Sequence, residues 1–429
     1  MSEARRGSRT LSAATTLAVV MAGTVIAVTA PAQAGAVPSP LAGSAAVSAK
    51  TALRCGDTIT ADTTLHADLV DCPGNGIVIG ADNITLDLNG HTIDGDDALS
   101  ECPAGTDCDV GVANFDGHDG VSVVGGRVRQ FRLGVLVEGG AARNRLRRLV
   151  ATDNTGIGIA AVESTGSVIE KNSLRDNNTG LALIDSRDAL VTGNTSAGGS
   201  GFGIVLVRAE AGTIERNLFD GNDEGIGVYD SSHNTVRRNK VSHHAGAAID
   251  LRDNATANRV QDNRLTDNGD GITLQEVAGN LISGNLVTGT GFFGAPETGG
   301  FGIVLDGGSR NTVDRNTVTG GRGPAVLVAT LDAASPPESS VISRNLVNSK
   351  QYDGIFVDST AMKTVIERNT ANRSGHDGIH VDAPTTTLTR NIADNNHNLG
   401  IEAAPGVIDG GGNHASHNGN AAQCTYVAC

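Results

Sequence analysis

The second half of the chain places carboxylates and a histidine directly after short apolar segments. Asp306, Asp358 and Asp382 each follow such a segment, and His380 lies two residues before Asp382. A pair of carboxylates on one face can supply the acid and base of a glycosidase, and a histidine beside a carboxylate can move protons near neutral pH. The same aspartates would also suit capping of the turns that follow. Both interpretations stay open.

A second candidate group lies earlier in the chain. Tyr229, His243, Asp250 and Arg252 form its centre. A polysaccharide lyase needs a base to remove a proton next to a carboxylate, and a cation to stabilise the enolate. Tyr229 or His243 could serve as the base and Arg252 as the cation. Further polar residues accompany them in the sequence, namely Glu224, His244 and Asp270.

Aromatic residues gather around two insertions, at 289–300 and 330–340. Five of the eleven Phe and Tyr residues lie there. Aromatic rings beside a loop-walled face suit stacking on sugar rings, although they could equally pack the loops down. The predicted substrate-binding residues are Phe292, Phe293, Phe301, Tyr352 and Phe356, together with Gln275.

The sequence requires no cofactor and predicts no metal site. No Cys pair has zinc-ligand spacing, and His243, His244, His376, His380 and His397 are dispersed. Asp358 and Asp382 could share a cation if they lie in neighbouring coils, so Ca²⁺ is the one ion that the carboxylates suggest.

A repeat of about 22 residues must position these side chains. A branched residue, two variable residues and an Asn recur, as in Ile214–Asn217 and Val365–Asn369, and a strand such as Gly225–Tyr229 follows. The position of this Asn, or of the residue that replaces it, recurs every 22 to 24 residues, with longer intervals of 36, 31 and 29 residues. This periodicity predicts an all-β solenoid, a single-stranded right-handed parallel β-helix of about 13 coils. The recurrent Asn should stack coil upon coil in an amide ladder.

Several segments resemble the right-handed β-helix repeat proteins related to pectate lyases, in their exported actinobacterial form. They are Cys55–Thr60, Ile84–Ile93, the repeats themselves, and Gly410–Asn413 with Cys424 and Cys429. The resemblance covers about 55–429 and implies the β-helix fold. The wider group includes polysaccharide lyases, hydrolases and epimerases, so the resemblance does not select one chemistry.

The ends of the chain predict export. Arg5, Arg6 and Arg9 precede an apolar run that ends near Ala32-Gln33-Ala34, which is typical of a signal peptide over 1–34. An Ala/Ser/Pro-rich linker is expected at 35–52, and the β-helix domain at 53–429, with caps at 53–89 and 414–429. No later segment is apolar enough to span a membrane, so a secreted protein is expected.

Six cysteines fit an oxidising compartment and fall in three local pairs. The expected disulfides join Cys55 to Cys72, Cys102 to Cys108, and Cys424 to Cys429. The formal net charge of the chain is −15, which argues against nucleic acid as a partner because phosphate binding needs a basic surface.

The function expected from these features is that of a secreted carbohydrate-active protein. It would bind a polysaccharide or cell-surface glycan on an outer sheet face, and cleave it as a lyase or hydrolase, or epimerise it. The alternative is a non-catalytic extracellular protein that binds glycan or serves as a rigid structural rod. The sequence leaves open whether the protein is an enzyme.

Overall fold

Parallel strands wind around one apolar core in a computed structural model of the chain, which describes residues 53–98, 108–291 and 300–429. These ranges contain 43 strands and no helix, and hence no helix able to cross a membrane. Each coil contributes one strand to each of three faces, here named sheets A, B and C. The predicted parallel β-helix is confirmed.

Sheet A is a continuous ladder of 15 strands. Its strands are Asp57–Ile59, Ile77–Ile79, Val110–Asn114, Leu133–Val137, Ile157–Val162, Thr179–Ile184, Phe202–Val207, Glu224–Tyr229, Ala247–Arg252, Asp270–Gln275, Ile303–Asp306, Val326–Ala329, Ile355–Val357, Ile379–Val381 and Ile401–Ala403.

Sheets B and C form the other two faces, and the long strands Ser122–Arg129 and Arg145–Thr152 run through both. The remaining strands of sheet B are Thr63–Thr64, Thr85–Asp87, Val168–Glu170, Leu190–Thr192, Thr213–Glu215, Thr235–Arg237, Arg259–Gln261, Leu281–Ser283, Thr312–Asp314, Val341–Ser343, Val365–Glu367, Thr387–Thr389 and Ile408–Asp409. Those of sheet C are Leu69–Cys72, Thr92–Gly95, Ser173–Arg175, Thr195–Ala197, Leu218–Asp220, Lys240–Ser242, Arg264–Thr266, Leu286–Thr288, Thr317–Gly321, Leu346–Ser349, Thr370–Ala371, Ile392–Asp394 and His414–Ser416.

The strands form because apolar residues alternate with polar ones and branched side chains suit the pleat. In Glu224–Tyr229, Ile226 and Val228 point into the core and are fully buried. Ile249 and Leu251 occupy the same positions one coil later. One continuous column of Val, Ile and Leu therefore fills the interior from the first coil to the last.

The structure contains 15 coils, and the expected number of about 13 was too low. That number came from the intervals between the recurring positions from Gly90 to Asn413. Fourteen coils carry such a position, and the first coil, with strands Asp57–Ile59 and Leu69–Cys72, has none.

The recurrent Asn forms the predicted amide ladder at the bend between sheets B and C. Asn172 Nδ2 donates to Leu146 O of the preceding coil at 3.0 Å and to Asn194 Oδ1 of the next coil at 2.9 Å. Asn194 Oδ1 also accepts the backbone N–H of Asn172. The pattern continues without a break to Asn413. It satisfies polar groups that the bend would otherwise bury unpaired.

Disulfides lie at both ends of the solenoid. Cys55–Cys72 and Cys424–Cys429 form as expected from their local spacing. Cys108 is also disulfide-bonded, and its expected partner Cys102 lies outside the described residues. The predicted signal peptide and linker, at 1–34 and 35–52, lie outside them as well.

Replacement of one ladder asparagine should destabilise the coils around it. Asn263→Ala removes donors to Val236 O and Asn285 Oδ1 and the acceptor that serves Asn239. Each buried polar group left unpaired costs about 1–3 kcal/mol, so we expect a loss of about 2–4 kcal/mol in the free energy of unfolding. Urea denaturation checks this. The exposed Asn420→Ala should cost less than about 1 kcal/mol, and equal losses in the two variants would contradict a ladder role.

Candidate functional site

The outer face of sheet A carries the candidate residues in columns, one residue per coil. Asp250 pairs with Thr273, and Phe356 pairs with His380 in the same column further along. A neighbouring column holds Tyr229 and Arg252. This register brings residues of adjacent coils within about 4.8 Å.

Tyr229 lies at the centre of a buried polar group, here named the Tyr229 centre: Glu224, Tyr229, Asp250, Arg252 and Thr273. The Tyr229 hydroxyl is 3.1 Å from Glu224 Oε2 and 3.0 Å from Asp250 Oδ2. Asp250 is fully buried and Tyr229 almost so, whereas the Glu224 side chain reaches solvent. The structure thus joins four residues of the second predicted group, Glu224, Tyr229, Asp250 and Arg252, and adds Thr273.

The number of protons in this centre follows from its geometry. A tyrosine hydroxyl has one hydrogen, so it cannot donate to two carboxylates at once. Two short contacts are satisfied together when one carboxyl is protonated and donates to the Tyr229 oxygen. Burial and the nearby charge of Asp250 raise the pKa of Glu224 to about 8. Glu224 is therefore the protonated partner at neutral pH.

Arg252 balances the charge of Asp250. Its Nε forms an ion pair with Asp250 Oδ2, and Thr273 Oγ1 donates to Asp250 Oδ1. Burial raises the pKa of Asp250, and the Arg252 guanidinium opposes that rise. Burial and the two carboxylates raise the pKa of Tyr229 well above its ordinary value. The Tyr229 hydroxyl consequently stays protonated.

Gly227 makes room for this arrangement. It occupies the column position next to Asp250, and an added Cβ would lie 3.1 Å from the Phe202 ring and 3.2 Å from the Tyr229 ring. The two rings meet edge to face above it, 5.8 Å apart. Any larger side chain at Gly227 would push Tyr229 away from the carboxyls.

Asp270 shares an outward column with Glu224 and lies two coils further on, because Ala247 pairs with Asp270 and stands between them. Two strand spacings separate their backbones by about 9.6 Å, and the small, buried Ala247 lies between them. Asp270 Oδ1 accepts the backbone N–H groups of Gly300 and Phe301 at 2.8 and 2.9 Å. These bonds orient the carboxylate at the edge of the first insertion.

The two neighbouring histidines of the upstream group lie away from the Tyr229 centre. His243 Nδ1 is 2.6 Å from Asp220 Oδ1, in the bend that precedes sheet A. His244 is fully buried in a bend ladder, where Nδ1 accepts from Asn222 N and the backbone N–H donates to Asn268. Burial lowers the pKa of His244 to about 4. These hydrogen bonds of the two histidines lie within the bends that precede sheet A.

Asp306 anchors the second insertion. Its carboxylate accepts the backbone N–H groups of Leu331, Asp332 and Ala333 at 2.7 to 3.3 Å, and Glu276 accepts that of Ala334. Asp306 is 6 % exposed. Its predicted catalytic role stays a prediction, but the geometry assigns this carboxylate an anchoring contact.

Asp358 Oδ1 accepts the backbone N–H of Thr360 at 3.0 Å, which is the turn-capping arrangement.

Among the predicted aromatic residues, Phe301 and Phe356 are partly buried and pack on Val304, Leu327 and Ala329. Tyr352 is exposed and Gln275 is partly exposed. Phe292 and Phe293 lie outside the described residues.

His380 belongs to a separate histidine–carboxylate cluster near the C-terminal end. Its Nε2 is 3.2 Å from Asp382 Oδ1 and its Nδ1 is 3.5 Å from Asp353 Oδ2. Burial disfavours the charged ring, but the carboxylates outweigh it and raise the pKa of His380 to about 9. The prediction paired His380 with Asp382 and missed Asp353, which lies in the bend before a strand and has no distinctive spacing.

Family models match most of the described chain. The model described as periplasmic copper-binding protein (NosD) matches residues 59–233 and 144–290. The right-handed β-helix region model matches residues 224–391 and 302–426. The chain belongs to the family described by the NosD model, and its fold is a right-handed parallel β-helix. A comparison with curated protein sequences gives no match.

Solved β-helix structures are similar in fold. Two tailspike structures of E. coli bacteriophage HK620 are 12 and 13 % identical, with TM-scores of 0.50 and 0.52. Both matches cover 87 % of this chain, and 73 and 74 % of the tailspike chains; the first contains a pentasaccharide. An alginate lyase from Paenibacillus is 15 % identical over 59 % of this chain and 88 % of its own, with a TM-score of 0.40. At these identities the likeness shows the fold alone.

We expect the thermal midpoint of the protein to fall as pH rises through about 8. The pKa of Glu224 is about 8 in the folded protein, against an ordinary value of 4.5. The folded state therefore holds this proton more tightly, so the stabilisation is complete below about pH 4.5 and is lost as pH rises through 8. Glu224→Gln, whose amide can donate to Tyr229, should flatten this decline between pH 6 and 10 in differential scanning fluorimetry. Glu367→Gln, on sheet B, should follow the wild type; an unchanged slope in Glu224→Gln would refute the assignment.

Proposed function

We propose that the protein is an exported polysaccharide hydrolase that works on the outer face of sheet A. Glu224 acts as the general acid and Asp270 as the general base. One observation carries the proposal: Glu224 is partly exposed on the outer face of sheet A, and burial of its carboxyl beside Asp250 raises its pKa to about 8, so that it keeps its proton at neutral pH. A carboxylic acid that stays protonated at neutral pH is what protonation of a leaving glycosidic oxygen requires.

The Tyr229 centre maintains the acid. Asp250 stays charged because Arg252 pairs with it, and that charge favours the neutral form of Glu224. Tyr229 links the two carboxyls and holds the Glu224 side chain in place. When Glu224 gives its proton to the leaving oxygen, its new negative charge lies beside Arg252 and the Tyr229 hydroxyl.

Asp270 supplies the other half of the reaction. Its backbone separation of about 9.6 Å from Glu224 is near the spacing of roughly 6.5–9.5 Å between carboxyl groups that leaves room for a water in inverting glycosidases. Water attacks the anomeric carbon, Asp270 takes a water proton, the glycosidic C–O bond breaks, and Glu224 protonates the departing oxygen. The anomeric configuration would therefore invert.

Substrate contacts are available on both sides of this pair. Arg252 and Thr273 offer polar groups, and Phe301 follows the loop end held by Asp270. A partly exposed ring beside polar groups suits the apolar face of a sugar. The acidic chain, with its net charge of −15, favours a neutral or weakly charged glycan over a polyanion.

A lyase reaction fits this centre less well. Elimination next to a uronate carboxylate needs a base that is unprotonated at neutral pH. Tyr229 is the residue placed for that task, and burial and the two carboxylates raise its pKa well above the ordinary value. His243 bonds to Asp220 in the bend that precedes sheet A. Hydrolysis therefore fits the site better, because it uses a protonated Glu224 and does not need a deprotonated Tyr229.

Export is supported by the disulfides, which are typical of oxidising compartments, and by the periplasmic description of the matching family model. A glycan partner accords with the tailspike, whose structure contains a pentasaccharide. Those structures share the fold with this chain, but the fold does not determine the reaction. The proposed reaction is therefore argued from the residues of this chain.

The proposal is tested on a panel of plant, algal, fungal and bacterial polysaccharides. Glu224→Gln and Asp270→Asn should each lower turnover at least about 10²-fold, the usual range for loss of a general acid or base, measured as new reducing ends. Asp358→Asn should keep wild-type turnover because that side chain caps a turn. Product NMR should show the inverted anomer.

Two outcomes would redirect the assignment. Unsaturated sugar ends among the products would indicate a lyase, and binding without turnover of any glycan would favour the non-catalytic alternative. Thermal midpoints at pH 6 establish that each variant is folded before its activity is compared.

A further inference from the structure

We infer that Asp353, His376, Asp377 and His380 form a binding site for one divalent transition-metal ion of the zinc type. The four residues lie near the C-terminal end of sheet A, beyond residues 59–290, which the NosD model matches. They constitute the one group of three or more His, Cys, Asp or Glu residues with metal-ligand spacing in the described ranges. The inference is independent of the proposed hydrolase.

Two successive coils build the site. Asp353 precedes strand Ile355–Val357, and Asp377 precedes strand Ile379–Val381 at the equivalent position of the next coil. The backbone N–H of Asp377 donates to Asp353 Oδ1 at 2.9 Å, and Gly354 N donates to Asp377 O at 3.0 Å. The two carboxylates are therefore stacked by the same register that aligns the strands.

The ligand atoms already lie at a useful spacing. One atom from each of the four residues falls within 4.8 Å of all the others. His376 Nδ1 is 2.8 Å from Asp353 Oδ1 and 2.9 Å from Asp377 Oδ2. A zinc ion bound at about 2.0–2.2 Å in tetrahedral geometry places its ligands roughly 3.4 Å apart. Small side-chain rotations would bring the four atoms to that arrangement.

Asp377 gives an independent reason to expect a cation. Its side chain is fully buried, and its Oδ2 atom makes no hydrogen bond, although the His376 ring is close. A buried carboxylate oxygen that makes no hydrogen bond is costly, and a metal ion bound between it and the His376 ring would satisfy it.

The ligand types select the ion. Imidazole nitrogen suits zinc and other late transition metals, whereas Ca²⁺ takes six to eight oxygen ligands. Two histidines and two carboxylates therefore favour Zn²⁺ over the Ca²⁺ that the sequence suggested for Asp358 and Asp382. Asp382 Oδ1, 3.2 Å from His380 Nε2, can hold that ring while Nδ1 faces the ion, an arrangement common around protein-bound zinc.

The experiment uses the purified mature protein after treatment with a chelator and buffer exchange. Isothermal titration with Zn²⁺ should show one ion per chain, and Co²⁺ should give the visible absorption of a four-coordinate site. His376→Gln and His380→Gln should each weaken Zn²⁺ binding at least about 10-fold. His414→Gln is the matched control, because His414 also lies beside a carboxylate, 3.7 Å from Asp394 Oδ1, and it should bind Zn²⁺ as the wild type does.

The inference is overturned if folded wild type binds no Zn²⁺, or if both histidine variants bind it as tightly as the wild type. Preference for Ca²⁺ over Zn²⁺ would also overturn it. Thermal unfolding of each variant without metal establishes that it is folded, and Asp353→Asn gives a second ligand change should a histidine variant fail that check. Reducing-end assays are not part of this test, so loss of hydrolase activity would leave the metal result unaffected.

Discussion

The strand register is the constraint on which the other features of this protein depend. Each coil bonds to the coils before and after it, and the asparagine ladder satisfies the polar groups of the bend at every step. Because the core and this bend repeat from coil to coil, equivalent residues form columns along the sheet. Successive residues of one column lie about 4.8 Å apart. A site on this surface is formed by the side chains of two or three residues that are adjacent in a column.

The two polar centres illustrate this on one face. Asp250 and His380 occupy the same column, five coils and about 24 Å apart, with Val304 and Leu327 among the residues between them. Small residues matter as much as charged ones: Gly227 leaves room for the Tyr229 ring, and Ala247 is the only residue of that column between Glu224 and Asp270. The apolar stretch separates the centres, so each responds to its own neighbours.

The fold and the register followed from the sequence because periodicity and the recurrent Asn are local signals that the backbone must obey. The grouping of Tyr229, Asp250 and Arg252 followed too, since column membership is a matter of counting. The role of Glu224 did not, because its proton affinity depends on burial and on the charge of Asp250. Asp306 and Asp382 look alike in sequence; only the amides of the second insertion distinguish them.

A solenoid tolerates such costly centres because its stability is close to a sum over neighbouring coils. A buried carboxylate such as Asp250 or Asp377 strains the interfaces of its own coil, while distant coils keep their full core and ladder. In a compact domain, the same charge would disturb a core shared by every element. The architecture can therefore carry a proton-sharing centre and a histidine–carboxylate centre on one sheet, each adjusted through its own two or three coils.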